Sequence, residues 1–276
     1  MSFDNGLEND SRSLQYVIKQ AKTKEEMSGI MDVIWKANYD PYDPVTQLFF
    51  PILGPTTADR ESAVTESKER FWNSHLSDPS SHWFYVEDLI TGKPVGCAQW
   101  QLFKTNPFRD GLPKLEAPWW PEKEHREFCE LILNQIFKAR GSWMRRPHLG
   151  MKPSFVWGRL ILTGFAALNW MAVLPGHRRR GVGRMLMKWG VETADKLGIE
   201  SWMEGSSLGR ILYEKCGYRV LFKLTYDVTK REMTDRWRKI THELTPPPFH
   251  LMWRPANGAW EDARMPWELG SSISEA

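Results

Sequence analysis

Arginine and glycine residues cluster in one short stretch of the chain, and their types suit the binding of an anion. The residues are Arg178, Arg179, Arg180, Gly181, Gly183 and Arg184. Guanidinium groups form paired, charge-assisted hydrogen bonds with phosphate oxygens, and a glycine leaves its backbone amide accessible to them. The stretch therefore predicts a site for a diphosphate.

The elements that must position this stretch are a strand and a helix. An apolar run from Trp170 to Leu174 predicts the strand, Pro175 and Gly176 predict a turn, and apolar residues at helical spacing begin at Met185. The first N–H groups of a helix have no intrahelical partner, and the helix dipole places partial positive charge there. We expect the diphosphate at the start of this helix.

Two well-known phosphate loops do not fit this stretch. Gly176 and Gly181 have the interval of a P-loop, but Val182 and Gly183 stand where that motif needs Lys and Ser or Thr. A dinucleotide fingerprint would need a third glycine where Leu186 stands. The sequence therefore argues against both a P-loop nucleotidase and a Rossmann enzyme.

Residues 178–183 instead resemble the acetyl-CoA loop of the GNAT N-acetyltransferase superfamily, whose pattern is Arg/Gln-x-x-Gly-x-Gly/Ala. The segment before it, 171–175, resembles the strand that leads into that loop. Downstream, 212–218 reads Leu-Tyr-Glu-Lys-Cys-Gly-Tyr and resembles the "LYEKxGF" segment of the superfamily, with Tyr218 in place of the usual Phe. On both motifs the chain is identified as a member of this superfamily, of a filamentous-fungal type.

The resemblance implies an α/β (α+β) fold, with a central mixed, mostly antiparallel sheet that splays between its fourth and fifth strands and is flanked by helices. It also implies acetyl-CoA as co-substrate and no metal. The implied ligands are the backbone of Met171, Ala172 and Val173 for the pantetheine arm, and Arg178, Arg179, Arg180, Gly181, Val182, Gly183 and Arg184 for the diphosphate.

Acetyl transfer to an amine needs a group that removes a proton. An alkyl amine with a pKa near 10.4 is almost wholly protonated at pH 7, and its deprotonation costs about 4 to 5 kcal/mol. Glu204 follows the predicted fifth strand, 199–203, and a Glu at this place accepts the proton in some members of the superfamily. The alternative is a strand-end carboxylate that is exposed or salt-bridged. His177 is a second candidate, although its place in the phosphate loop favours packing.

The leaving group of the reaction would be a thiolate, and a free thiol has a pKa near 8.5. Tyr213, in the second motif, would hydrogen-bond the sulfur and donate its proton as charge builds there. The alternative is a core aromatic residue on a short helix. The resemblance favours the catalytic role.

Composition limits the remaining classes of function. The net charge is +3 and the pI is near 8.7, with no lysine-rich tail, which does not indicate a nucleic-acid partner. The three cysteines have no metal-ligand spacing, and the N-terminus lacks a secretory pattern. We expect a cytoplasmic protein without a metal or a membrane partner, whose 15 tryptophans pack a sheet and its loops.

The organisation predicted for the 276 residues is a disordered N-terminus (1–13), one N-acetyltransferase domain (14–255) with a helical insertion (104–167), and a tail (256–276). A helix over 124–140 adds a layer to the sheet or forms a lid, and the first is favoured. The apolar block 150–167 is either a true extension or an unspliced in-frame intron in the gene model. Sequencing the cDNA distinguishes these two.

The function predicted from these residues is direct transfer of an acetyl group from acetyl-CoA to a primary amine of a small molecule. Tyr213 and Glu204 are the predicted catalytic residues. A non-catalytic acyl-CoA-binding or sensing domain would keep the phosphate loop without turnover, and a protein N-acetyltransferase would need an open groove for a peptide. The segment 39–55 is predicted as a loop rich in proline and aromatic residues, which either packs on the surface or, as the resemblance favours, contacts the acceptor. With substrate contact, it favours a small, partly apolar amine. The acceptor, the acyl chain length and the oligomeric state do not follow from the sequence.

Overall fold

The structure is a computed structural model that describes residues 15–103, 107–108, 111–112, 114–143, 148–150, 170–261 and 263–266. The predicted disordered N-terminus (1–13) lies outside the described residues. So does the apolar block 150–167 apart from Gly150, together with the choice between its two explanations.

The helices of the described chain are α1 (Lys24–Asn38), α2 (Pro44–Phe49), α3 (Thr57–Ser77), α4 (Lys123–Trp143), α5 (Val182–Leu197), α6 (Ser207–Lys215) and α7 (Asp235–Leu244). The strands are β1 (Tyr16–Gln20), β2 (Ser81–Asp88), β3 (Lys93–Phe103), β4 (His148–Gly150), β5 (Met171–Val173), β6 (Glu200–Gly205), β7 (Arg219–Leu224) and β8 (Phe249–Arg254). Short 3₁₀ turns follow β5 and β8.

The strands form one mixed sheet in the order β1-β2-β3-β4-β6-β8-β7, and β5 pairs with β3 beside that path. Within the described residues, β4 and β6 pair in parallel and every other pairing is antiparallel. The prediction of a mixed, mostly antiparallel sheet flanked by helices is confirmed.

Among the described residues, no pairing joins β5 to β6, which correspond to the predicted fourth and fifth strands. Both β4 and β5 pair with β3, through Gln101 opposite Gly150 and Ala98 opposite Met171. The described pairing of β6 with β4 ends at Trp202 opposite Gly150, where the described part of β4 also ends. We call the place where β5 and β6 are not paired the splay.

The two faces of the sheet carry different helices. On one face, which we call the α4 face, α1, α2, α3, α4 and α7 pack on Cys97, Trp170, Ala172, Trp202 and Leu251. On the other, the α5 face, α5 and α6 pack on Ala98, Trp100, Met203 and Met252. Successive residues of a strand point to opposite faces, so neighbouring residues of β6 serve different cores.

Several element boundaries differ from the sequence prediction for identifiable reasons. The segment 39–55, predicted as a loop, contains α2, which Asp43 caps through the N–H groups of Val45 and Thr46 and which Pro44 opens. The helix α7 begins at Asp235, because the Thr234 side chain caps its start. The first residues of the predicted tail pack on the sheet: the Trp260 ring lies 5.1 Å from that of Trp253.

Candidate active site

The loop between β5 and α5 presents backbone N–H groups and guanidinium groups at the surface. Gly181 is the N-cap of α5 with a left-handed φ of 88°, and no side chain caps the helix start. A Cβ at Gly181 would meet nothing within 4 Å, so the space above its amide is open. Arg179, Arg180 and Arg184 are exposed around it. These residues can hold a diphosphate at the start of the helix.

Two of the residues predicted to bind the diphosphate have a different local role. A Cβ at Gly183 would lie 2.9 Å from Leu212 Cδ2, so this glycine allows α6 to approach α5. Arg178 folds back: its Nε donates to Val173 O at 3.1 Å and its Nη2 to Ala37 O at 3.3 Å. The Arg178 side chain thus ties the loop to β5 and α1.

The short strand β5 has one edge on β3 and the other in the splay. Gln99 N donates to Trp170 O and Leu174 N donates to Val95 O, both at 2.9 Å. In an antiparallel pair these contacts alternate along the strand, so Ala172 also uses its backbone groups toward β3. The backbone N–H and C=O groups of Met171 and Val173 point toward the splay. The Val173 carbonyl already accepts a hydrogen bond from Arg178 Nε. Of the three residues predicted to meet a pantetheine arm, these two have the required orientation.

Tyr213 is buried on the α5 face, with its ring over two glycines. A Cβ at Gly209 would lie 2.9 Å from the Tyr213 hydroxyl oxygen, and one at Gly205 would lie 3.0 Å from the ring. Burial raises the pKa of Tyr213, and the nearby Cys216 raises it further. The phenol therefore stays protonated and can donate a hydrogen bond.

Glu204 is fully buried on the α4 face of β6. Arg140 of α4 binds both of its carboxylate oxygens, with Nε 2.6 Å from Oε1 and Nη2 against Oε2. Trp202 Nε1 donates to Oε1 at 3.0 Å. Burial raises the pKa of Glu204, while the charge and hydrogen bonds of Arg140 oppose that rise. Glu204 is thus a buried carboxylate in an ion pair, and its role as proton acceptor stays a prediction.

His177 has a structural partner in β1. Its Nδ1 lies 2.9 Å from the hydroxyl oxygen of Tyr16, and the two rings meet edge to face with centroids 5.8 Å apart. This contact fits the packing role that the sequence favoured. His177 belongs to the scaffold of the loop.

The site as a whole spans the sheet. Tyr213 and the start of α5 lie on the α5 face, whereas Glu204 lies on the α4 face with Trp170. Glu204 follows Trp202, the last residue of β6 with a described partner in β4, and so lies on the β6 side of the splay. The splay therefore has one predicted catalytic residue on each side.

Sequence reasoning missed two residues that shape this site. The sequence places Arg140 only in a predicted helix, and its partner is 64 positions away, a separation for which no local pattern exists. Gly209 had a local signal, because it stands four positions before Tyr213 and residues at that spacing meet on a helix face.

The described residues contain no group of three or more His, Cys, Asp or Glu side chains placed to hold a metal ion. None of the helices that they form combines the length and the apolar character needed to cross a membrane.

Comparisons with known proteins agree on the family. A family model described as "Acetyltransferase (GNAT) domain" matches residues 152–220. The chain is similar to the curated "Probable acyltransferase SID5" of Ajellomyces capsulatus, with 26% identity over 93 residues, which are 34% of this chain and 66% of that protein. The match thus spans just under two thirds of the relative's length.

Among solved structures, the chain is similar to a mosquito arylalkylamine N-acetyltransferase like 5b. The TM-score is 0.50 at 14% identity, and the alignment covers 87% of this chain and 99% of the other. At that identity the likeness concerns the fold. Over residues 152–220 the chain is thus similar to the GNAT acetyltransferase domain, and its mixed α/β fold is similar to that of a solved N-acetyltransferase.

Proposed function

We propose that this chain is an N-acetyltransferase that moves an acetyl group from acetyl-CoA to a primary amine of a small molecule by direct transfer. The observation that carries the proposal is the placement of Tyr213 and Glu204 on opposite faces of the sheet at the splay. Direct transfer needs a proton donor beside the leaving sulfur and a proton acceptor beside the attacking amine. An opening with one such group on each side meets that need.

The α5 face has the features of a donor side. The first N–H groups of α5 and the exposed guanidinium groups of Arg179, Arg180 and Arg184 suit the diphosphate. The backbone groups of Met171 and Val173 suit an extended amide-bearing arm, which would join β5 as an added strand. Acetyl-CoA supplies the activated acetyl group, and the protonated Tyr213 can donate a hydrogen bond to the sulfur.

The α4 face has the features of an acceptor side. Trp170 lies there in a cluster of rings, with centroids 5.0 Å from Phe50 and 5.3 Å from Phe71. A half-open groove of about 470 Å³ lies between the loop after α2, α3 and Trp119. Its lining combines apolar walls with Asp59, Glu66 and Arg70, and Arg70 pairs with Glu66, so the groove suits a small, partly apolar amine. Glu204 is the group that we propose to accept the proton.

The cytoplasm remains our proposed compartment. Cys97 and Cys129 are buried and Cys216 is half-buried, and all three are free thiols. Free thiols are the usual state in a reducing compartment.

The first test is binding of coenzyme A to the intact protein by calorimetry at several salt concentrations. We expect affinity to fall as salt rises, because the phosphate contacts are solvent-exposed. Arg180→Ala should reduce this salt dependence more than Arg178→Ala, since the Arg178 guanidinium is engaged by two carbonyls. No heat of binding with the intact protein would overturn the proposal.

The second test is release of free thiol from acetyl-CoA over a panel of small amines and peptides. With an amine that supports turnover, Tyr213→Phe and Glu204→Gln should each slow transfer by about tenfold or more. If neither change slows it that far, the roles assigned to these residues are wrong.

A second candidate function is a non-catalytic acyl-CoA-binding or sensing domain. The observation that favours it is the engagement of both Glu204 oxygens by Arg140. Coenzyme A binding without thiol release, for every amine and peptide in the panel, would support this candidate against the first.

A further inference from the structure

The pair of Arg140 and Glu204 connects the inserted helix α4 to the strand that borders the splay. Both side chains have 0% exposure, and the two groups face each other in a bidentate arrangement. Arg140 lies in the last turn of α4. The insertion therefore contributes a charged group to the α4 face, and this group contacts the predicted proton acceptor, Glu204.

Stability alone is a weak reason for such a pair. Removing two charges from water costs several kcal/mol per ion, and well-packed apolar residues of similar volume often stabilise a protein as well or better. The core around this pair is rich in apolar neighbours, among them Trp202 and Leu251. An apolar pair would suit these surroundings, so the position of the ions at the splay calls for a functional reason.

We infer that Arg140 is a positioning residue of the transfer site, which fixes the Glu204 carboxylate at the splay in its ionised, proton-accepting form. This inference rests on the proposed function. Bidentate contact with a planar guanidinium fixes both the place and the orientation of a carboxylate. By this inference, the insertion both covers the sheet and positions a catalytic group.

The electrostatic consequence of removing Arg140 has a definite sign. Burial raises the pKa of Glu204 and Arg140 opposes the rise. Among the described residues, Arg140 of α4 is the charged group that acts on Glu204, and Tyr226, after β7, is a titratable neighbour whose own pKa is raised by burial and then by Glu204. Without Arg140, the pKa of Glu204 rises further. The acidic limb of the pH–rate profile then moves to higher pH.

The experiment compares Arg140→Met with the double variant Arg140→Met/Glu204→Leu. The single variant leaves a buried carboxylate without its partner and is expected to lose stability, whereas the double variant removes both charges and should keep the fold. We expect the double variant to keep the melting temperature and coenzyme A affinity but to lose about a hundredfold in kcat. Where the single variant folds, its acidic limb should lie at higher pH.

A second bidentate pair in the chain provides a matched control. Arg254 of β8 binds Asp195 in the last turns of α5, with Nη1–Oδ1 at 2.6 Å and Nη2–Oδ2 at 2.9 Å. Asp195 is about 20 Å along α5 from the phosphate loop, at about 1.5 Å per residue. Arg254→Met/Asp195→Leu should leave kcat and the pH profile unchanged.

The outcomes separate the inference from the function on which it rests. If the Arg140→Met/Glu204→Leu variant folds and keeps its kcat, the pair is structural and the inference is overturned, while the acetyltransferase proposal stands. An unshifted acidic limb in a folded Arg140→Met variant also overturns it. If the unaltered protein binds no coenzyme A or releases no thiol with any amine, the proposed function fails first and the inference fails with it.

Discussion

The position of the Tyr213 ring depends on two neighbouring glycines that have no side chain. Its ring lies over Gly205 and Gly209, and any side chain at either position would approach that ring or its hydroxyl. Glycine in a helix costs about 1 kcal/mol relative to alanine, because it has more conformational freedom to lose. Gly209 in α6 is therefore best explained by the space that the phenol needs.

We predict that Gly209→Ala lowers kcat although it improves the helix propensity of α6. The added methyl would lie 2.7 Å from Tyr213 Cε2, so the phenol must move away from its position at the splay. Steady-state kinetics with acetyl-CoA and coenzyme A calorimetry would measure the effect, with binding expected to change little. Glu214→Ala, on the exposed side of the same helix, is the control. A variant with unchanged kcat would contradict this role for Gly209.

At the level of single residues, the sequence best predicted the residues whose roles depend on their immediate neighbours in the chain. The loop and Tyr213 lie in contiguous motifs, so their placement followed from a few adjacent residues. The ion pair of Glu204 with Arg140 could not be foreseen, because it joins two elements that are 64 positions apart in the sequence and depends on tertiary packing. The turn of Arg178 toward Val173 O likewise depends on where β5 ends relative to α1.

Among the elements, the junction of β5 and α5 contains a backbone conformation that favours glycine. Gly181 begins α5 in the left-handed region, whereas Gly176, earlier in the same loop, does not. Neither glycine has a neighbour within 4 Å of its missing Cβ. The two positions therefore differ in backbone conformation and share the same open surroundings.

Gly181→Ala should destabilise the loop by about 1 to 2 kcal/mol, the usual cost of a left-handed conformation for a residue with a Cβ. Coenzyme A affinity should weaken, because the N–H groups at the start of α5 lose their fixed orientation. Gly176→Ala should change neither stability nor affinity. Thermal unfolding and calorimetry of both variants would measure this, and equal behaviour would show that backbone strain at Gly181 has no role.

The elements themselves were predictable where a terminal signal was present in the sequence. The Thr23 and Thr56 capping boxes mark the starts of α1 and α3, and the Asp43-Pro44 pair that starts α2 is a signal of the same kind. The presence of β4 as a separate short strand that pairs with β3 beside β5 was not predictable. Strand pairing is a contact between distant segments, and three-residue strands leave little periodicity to detect.

For the molecule as a whole, histidines packed at the end of α3 make stability depend on pH. Burial lowers the pKa of His75, and His82 lowers it further, while burial also lowers the pKa of His82. An unfolded histidine has a pKa near 6.5, so the unfolded state binds more protons than the folded state as pH falls below about that value. Their stabilising contribution is complete above about pH 6.5 and is lost as pH falls through the folded pKa.

We predict that His75→Gln/His82→Gln flattens the fall in unfolding free energy on the acid side of about pH 6.5. Denaturant unfolding at a series of pH values would measure the slope. His242→Gln, a change at an exposed histidine of α7, should leave the slope as it is. If the unfolding free energy of the double variant falls with pH as steeply as that of the unaltered protein, other groups cause the acid sensitivity.

In the proposed function, the acyl carrier binds on the α5 face of the sheet and the amine on the α4 face. A blocking compound bound on one face then need not exclude the natural molecule from the other. We expect an inhibitor aimed at the aromatic cluster around Trp170 to act also when the proposed acyl carrier is bound.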